Sequence, residues 1–436
     1  MPAAVFPHAA VASPHYLAST AGLAVLLSGG NAADAAVAMN LVLAVVYPHM
    51  CGLGGDLFAM VWQEGELAGL NSSGHLPTSA KLEGDSVPRT GVASATVPGA
   101  VAGWLALLER FGSRSLRELA APAIRYAREG CPRAPGLVRI TQAMSRLLER
   151  DSDVKRIFLS DGPLVQPELA ETLEGIEMFY SGPVAERAPA PFSPQDFAEH
   201  QAEWVTPERL AWRELEVCEM PSNSRGHLAL RALERLEPLE GLTPDDVEWH
   251  QRLIRAIRAV DPALAGPMEG DTIYLGARDE NGMAVSLNQS LSEAFGSGVM
   301  VPGTGVLLHN RAAYFKPDEY LPGARLPAHT LAPAMALRDG EPSFVFGTMG
   351  GESQIQVHLQ LLGRVFVAGQ DIGDAVAASR WRITREGLWQ EPGLPDLGGS
   401  GFPYPDLAGH AQAILVDADG LHAAFDPRSD GAAVGY

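Results

Sequence analysis

Apolar residues recur at helical spacing from Tyr16 to Leu27, with Leu17, Ala21, Ala24 and Leu27 in phase, and Ser28-Gly29-Gly30 stops the turn. Asn31 caps a second helix, Ala32 to Val46, which is apolar nearly all round and is therefore predicted to lie buried on every side against a sheet. The run Leu57 to Trp62 reads as a strand entered through the glycine-rich Cys51-Gly52-Leu53-Gly54-Gly55-Asp56. A nucleotide-binding glycine loop follows a strand and opens a helix; this one follows a helix and opens a strand, so its glycines are read as permitting close backbone approach. Gly99 to Phe111 and Leu116 to Glu129 are predicted amphipathic helices, and Ala188 to Gln201 a polar, proline-rich surface crossing. His227 to Leu236 and Val247 to Val260 are two more helices, the second ended by Asp261-Pro262. No fixed-period repeat is visible.

After Gly270 the pattern turns to strands. Thr272 to Arg278 and Met283 to Leu291 flank the turn Asp279-Glu280-Asn281-Gly282, a hairpin signal. Val306 to His309, Ala334 to Leu337, Ser343 to Phe346 and Ala413 to Asp417 are further strands, with a helix from Ile355 to Ala368 among them. Sheets flanked by helices follow from this order.

The 436 residues are 46% apolar and 19% charged, enough to bury a large core, which excludes disorder, collagen and coiled coil. Length admits two or three domains; a single layered unit is the expectation. A net charge of −20 repels phosphate backbones and anionic membranes, so neither nucleic acid nor membrane is an expected partner. Cys51, Cys131 and Cys218 include no CxxC pair, so neither a disulfide framework nor a zinc knuckle is indicated. The start Met1-Pro2-Ala3-Ala4-Val5-Phe6-Pro7-His8 is unlike a signal peptide, and the longest apolar stretch, Ala35 to Val46, is shorter than a bilayer span. The protein reads as cytoplasmic.

No GxSxG, HExxH or EF-hand pattern occurs, and His309, His329 and His358 share neither a helix face nor a ligand spacing. No metal and no cofactor are expected. Gly270-Asp271-Thr272-Ile273-Tyr274-Leu275 places a threonine at the start of a strand, ordinarily a β-branched filler. Its surroundings change that reading. Phe295-Gly296-Ser297-Gly298, Pro302-Gly303-Thr304-Gly305 and Gly347-Thr348-Met349-Gly350-Gly351 follow in the order found in the γ-glutamyltransferases. Ser28 to Ala36 with Pro48, Gly52, Gly54 and Gly55, then Thr96-Val97-Pro98-Gly99, then Glu219-Met220-Pro221 with Asn223 and Gly226, and finally Asp426-Pro427-Arg428-Ser429-Asp430-Gly431-Ala432-Ala433 extend the match. The sequence resembles this family nearly end to end.

The resemblance implies an α+β fold, a four-layer αββα sandwich of the N-terminal nucleophile hydrolase type, made as one chain and cut before Thr272. Its segments would be 1–271 and 272–436, together one αββα unit. The cut would free an α-amine, with an ordinary pKa of about 8, as the base for the hydroxyl on the same residue. The resemblance also makes Gly350-Gly351 the oxyanion amides and Ser290 the hydroxyl that supports the nucleophile. Expected partners are a small-molecule amide and the two fragments for each other, with a dimer of these as a further arrangement.

The substrate-binding positions implied by the family are Ser73, Ser292, Arg311, Tyr314 and Thr330. Where members that act on glutathione carry an arginine, an asparagine and an acid, this chain has Ser73, Ser292 and Tyr314; where they carry a glutamine it has Arg311. Losing each charge-assisted bond costs about 1.5 to 3 kcal/mol, so glutathione is expected to be a poor substrate. Asn310-Arg311, and Gly350-Gly351 with Gln354, Gln356 and His358, are instead similar to the branch with oxamate amidohydrolases and cephalosporin acylases. Amide hydrolysis with another acyl group is therefore expected. Arg311 has two readings, a carboxylate ligand or a surface or structural arginine paired with a nearby acid such as Asp318. Glutathione-type transpeptidation is the weaker enzyme alternative; the interval from Val260 to Thr272, much shorter than in most members, and the altered pocket favour another, an uncleaved binding protein that retains the fold.

Overall fold

The computed structural model describes residues 2–261, 271–402 and 408–436. Its strands in chain order are β1 (Ala4–Phe6), β2 (Ala10–Ser13), β3 (Asp56–Gln63), β4 (Glu66–Ser72), β5 (Glu203–Val205), β6 (Glu208–Trp212), β7 (Leu215–Glu219), β8 (Asp271–Arg278) and β9 (Ala284–Ser292). Then come β10 (Met300–Val301), β11 (Val306–Leu307), β12 (Ala334–Arg338), β13 (Glu341–Thr348), β14 (Trp381–Thr384), β15 (Gly387–Gln390), β16 (Ser400–Gly401), β17 (Ala411–Asp417), β18 (Gly420–Phe425) and β19 (Ala432–Gly435). One seven-stranded sheet has the order β19-β2-β8-β9-β3-β4-β5, the other β1-β18-β17-β13-β12-β7-β6. The remaining strands form small ribbons.

The sheets face each other through alternate side chains, as a period of two requires. Phe58, Met60 and Trp62 of β3 meet Met335, Val345 and Ile414 of the second sheet in one buried cluster. Helices close both outer faces. On the first sheet lie α1 (Tyr16–Leu27), α2 (Ala32–Val46), α3 (Ala100–Phe111) and α4 (Leu116–Glu129), and every residue of α2 is buried, as its unbroken apolar pattern predicts. Asn31 and Asp34 form a capping box at its start. Helices at Gly226–Glu234, Val247–Val260 and Gln354–Leu362 cover the second sheet. The result is the expected four layers.

Two expectations need correction. The helix read from Ile355 to Ala368 ends at Leu362 and continues as a π turn, Gly363–Val367. The segment from Ala188 to Gln201 is not simply a surface crossing: Pro194–Ala198 is helical, Phe197 and Asp196 are fully buried, and Asp196 accepts hydrogen bonds from Thr78. The short interval before Thr272 falls at residues 262–270, outside the described residues.

Chain order and spatial order are interleaved. Strands from before and after residue 271 pair along five seams: β19 with β2, β2 with β8, β9 with β3, β1 with β18, and β12 with β7.

Candidate active site

Thr272 is buried at the start of β8, and its Oγ1 donates to Ser290 Oγ at 3.1 Å. The register of β8 on β9 shifts between Asp271 and Ile273, a bulge of the kind that re-aims a side chain at a strand end. Ser290 Oγ also accepts the Ser292 N–H at 2.7 Å. One strand further on, Asp56 is the partner of Ser290 in register.

The second sheet reaches the same end. Asn288 Nδ2 donates to Ile273 O at 3.1 Å and to Thr348 O at 3.2 Å, clamping the start of β8 to the end of β13. Gly347 lies flat on Tyr274, where a Cβ would be 2.4 Å from ring carbons. Gly350 and Gly351 follow at φ +127° and +56°, conformations that favour glycine. Ser353 Oγ and N donate to Gly350 O at 2.6 and 3.0 Å, fixing that peptide plane. In a trans peptide the Gly351 N–H then points away from Ser353.

Beyond Ser290 lies a wholly buried charged group. Asp56 Oδ1 accepts the Gly74 and Gly99 amides, each at 3.2 Å, and Oδ2 lies 2.9 Å from His329 Nε2 and 3.5 Å from His309 Nδ1. Burial alone would raise the Asp56 carboxyl, but the His309 and His329 rings and the Arg311 cation outweigh it and hold it at about 2. Burial, with Arg311 nearby, drives His329 down to about 3, and burial lowers His309.

Arg311 opens a 3-10 turn ending at Tyr314, and its guanidinium stands 4.6 Å over the Tyr314 ring. It is fully buried; Nη1 reaches Ala328 O at 3.5 Å, while Nε and Nη2 have no partner among the described residues. Asp318 is exposed and makes no ion pair with Arg311 among the described residues. Ser292, at φ +79°, and Ser73 each bury an Oγ without a partner among the described residues. The Ser73 turn is set by Asn71, whose Oδ1 accepts the Ser73 N–H at 3.1 Å and whose Nδ2 donates to Asn223 Oδ1 at 2.7 Å. Thr330 is buried two residues beyond Ala328. No hydrogen bond joins Ser73 or Thr330 to Arg311 among the described residues.

Spacing along the chain hid the Asp56 group. His309 and His329, which looked unrelated, meet on Asp56, whereas His358 pairs with Glu219 elsewhere. The glycine loop is the reason. A Cβ on Gly54 would be 2.0 Å from Leu307 O and one on Gly55 2.3 Å from Ser290 O, so these glycines admit the backbone that delivers His309. That much follows the sequence reading of close approach. Among the described residues no group of three or more metal-ligating side chains is assembled, and no helix is long and apolar enough to cross a membrane.

A sequence model of the family described as Gamma-glutamyltranspeptidase matches residues 18–261 and 242–436. The Glutathione hydrolase-like YwrD proenzyme of Bacillus subtilis is 34% identical over 98% of this chain and 98% of that protein. The Oxamate amidohydrolase proenzyme of Klebsiella pneumoniae is 31% identical over 99% of each. Among solved structures, cephalosporin acylase from Bacillus halodurans superposes with a TM-score of 0.91 at 30% identity, covering 100% of this chain and 97% of that one.

Proposed function

This chain belongs to the gamma-glutamyltranspeptidase family, as an N-terminal nucleophile hydrolase or acyltransferase made as a proenzyme, and from that premise we propose that it cleaves amides whose acyl part carries a carboxylate but no α-amine. One observation carries this reading: a buried guanidinium with Nε and Nη2 unpaired, in the group that begins one strand beyond Ser290. A planar cation with two free donors suits a carboxylate in bidentate geometry. Thr272 is the nucleophile. Cutting the Asp271–Thr272 bond gives segments 1–271 and 272–436 and an α-amine that takes the Oγ proton as Oγ attacks the amide carbon. The amine passes that proton to the leaving nitrogen; water then attacks the ester, giving the acid and restoring the hydroxyl. Gly350 and Gly351 supply amides to the oxyanion, and Ser290 steadies Oγ through their hydrogen bond.

Glutaryl is the γ-glutamyl group without its α-amine, so it keeps its carboxylate at the same distance from the reacting carbonyl; oxamate carries its carboxylate directly on that carbonyl. At the positions where glutathione-active members hold the α-ammonium this chain offers the neutral Ser292 and Tyr314 hydroxyls, which supports the disfavour of γ-glutamyl groups. The setting is cytoplasmic, and the two segments remain one unit, or a dimer of such units.

The test compares kcat/KM for glutaryl, succinyl and γ-glutamyl anilides and for oxamate, in wild type and Arg311→Ala. Preference for glutaryl by tenfold or more, lost in the variant, is expected. A γ-glutamyl preference, or selectivity unchanged by Arg311→Ala, would defeat the reading.

A further inference from the structure

The buried group around Arg311 holds an acceptor as well as donors. His329 touches Asp56 through Nε2 alone, at 2.9 Å. The ring is neutral, because burial and Arg311 lower it to about 3, and so it carries one proton. An ionised carboxylate only accepts, which places that proton on Nε2 and leaves Nδ1 a bare lone pair. Among the described residues Nδ1 is buried without a partner. Arg311 reaches the same segment, with Nη1 on the carbonyl of Ala328, the residue before His329. Yet Nε and Nη2 of Arg311 and Nδ1 of His329 do not satisfy each other. Buried, unpaired donors and an acceptor in one group suit a ligand that answers both.

We infer that Asp56, by fixing the Nε2–H tautomer of His329, makes Nδ1 a specificity-determining acceptor, so that the preferred acyl group carries a hydroxyl in addition to the carboxylate taken by Arg311. The substrate class is monoamides of hydroxy-dicarboxylic acids. This rests on the carboxylate role of Arg311 given above. An ammonium in place of the hydroxyl would lie beside the Arg311 cation, with Asp56 already occupied by two amides and His329. Asp56 is a positioning residue; His329 touches the substrate.

Two variants separate the parts. In His329→Gln the side-chain amide can still donate to Asp56 from the Nε2 position but offers nothing at Nδ1. In Asp56→Asn the Gly74 and Gly99 amides keep Oδ1 facing them, which turns the new N–H₂ toward His329 and drives its proton to Nδ1. The probes are malyl against succinyl anilide, and the hydroxyglutaryl isomers against glutaryl anilide. Wild type is expected to favour a hydroxylated member by about tenfold or more in kcat/KM. His329→Gln should lose that preference and keep the carboxylate preference; Asp56→Asn should lose it too. Ring-¹⁵N histidine spectra, with the His329 signal assigned by its loss in His329→Gln, should show protonated Nε2 in wild type and protonated Nδ1 in Asp56→Asn. Equal rates on hydroxylated and plain acyl groups, or a wild-type His329 protonated at Nδ1, would overturn the inference. If Arg311-dependent carboxylate selectivity persists in that case, the acyl-pocket reading stands alone; if it is absent, both fall. Should a variant fail to fold, the wild-type rates and spectrum decide.

Discussion

Ser353 shows how much one hydroxyl can set. Its two hydrogen bonds hold the Gly350 carbonyl and thereby aim the next amide. Ser353→Ala is expected to lower kcat by roughly tenfold, with KM little changed, because the donor remains but loses its orientation; steady-state kinetics on a glutaryl anilide read this directly. Glu352, the neighbouring residue, makes a different statement. Burial raises its carboxyl to about 7 against the pull of Arg225, 3.8 Å away. The folded pKa lies above the unfolded one, so the folded state holds the proton longer, and the stabilisation present below about pH 4 is lost as pH rises through 7. Glu352→Gln should therefore gain about 2 to 3 kcal/mol over its parent at pH 8 relative to pH 4. Urea unfolding at both pH values, in a Thr272→Ala background that stays in one piece, measures the difference; an equal gain at both would contradict it.

At the scale of elements, the loop from Cys51 to Asp56 is where fold and site are joined. Gly54→Ala must push a Cβ into backbone at 2.0 Å, which cannot yield as a side-chain tip would. A loss of about 3 kcal/mol is expected, seen as a lower Tm. The sequence shows α2 and β8 plainly, because an unbroken apolar face and a hairpin turn are local signals. Thr272 and Gly350-Gly351 are singled out by the resemblance of their surrounding motifs to those of the family. The strands β1 and β2 are too short and alanine-rich to announce themselves, and the small helices between residues 135 and 187 complete too few turns to display a period. Asp56 and His329 are 273 positions apart and meet only because separate segments pair; no local pattern encodes that. Arg311 lay between, visible as a changed residue, with its role left open by the sequence.

For the molecule as a whole, the expected cut before Thr272 falls at the first bond of β8, an inner strand of the first sheet. Intact mass should show fragments meeting at Asp271 and Thr272 in wild type and one full-length chain in Thr272→Ala; two uncut proteins would end the processing proposal. Size exclusion should still show one particle after cutting, since the five seams hold the segments together. The same weave makes folding a different kind of reaction before and after the cut. An uncut chain finds its own partner strands at a rate indifferent to concentration. Once cut, each fragment lacks the strands that complete both sheets, so recovery from denaturant becomes a bimolecular search in which orphaned edges also find the wrong neighbours. Refolding yield should then depend on dilution for the cut protein and not for Thr272→Ala, so that in this molecule the peptide bond before Thr272 would serve as memory of the fold until the moment it is broken.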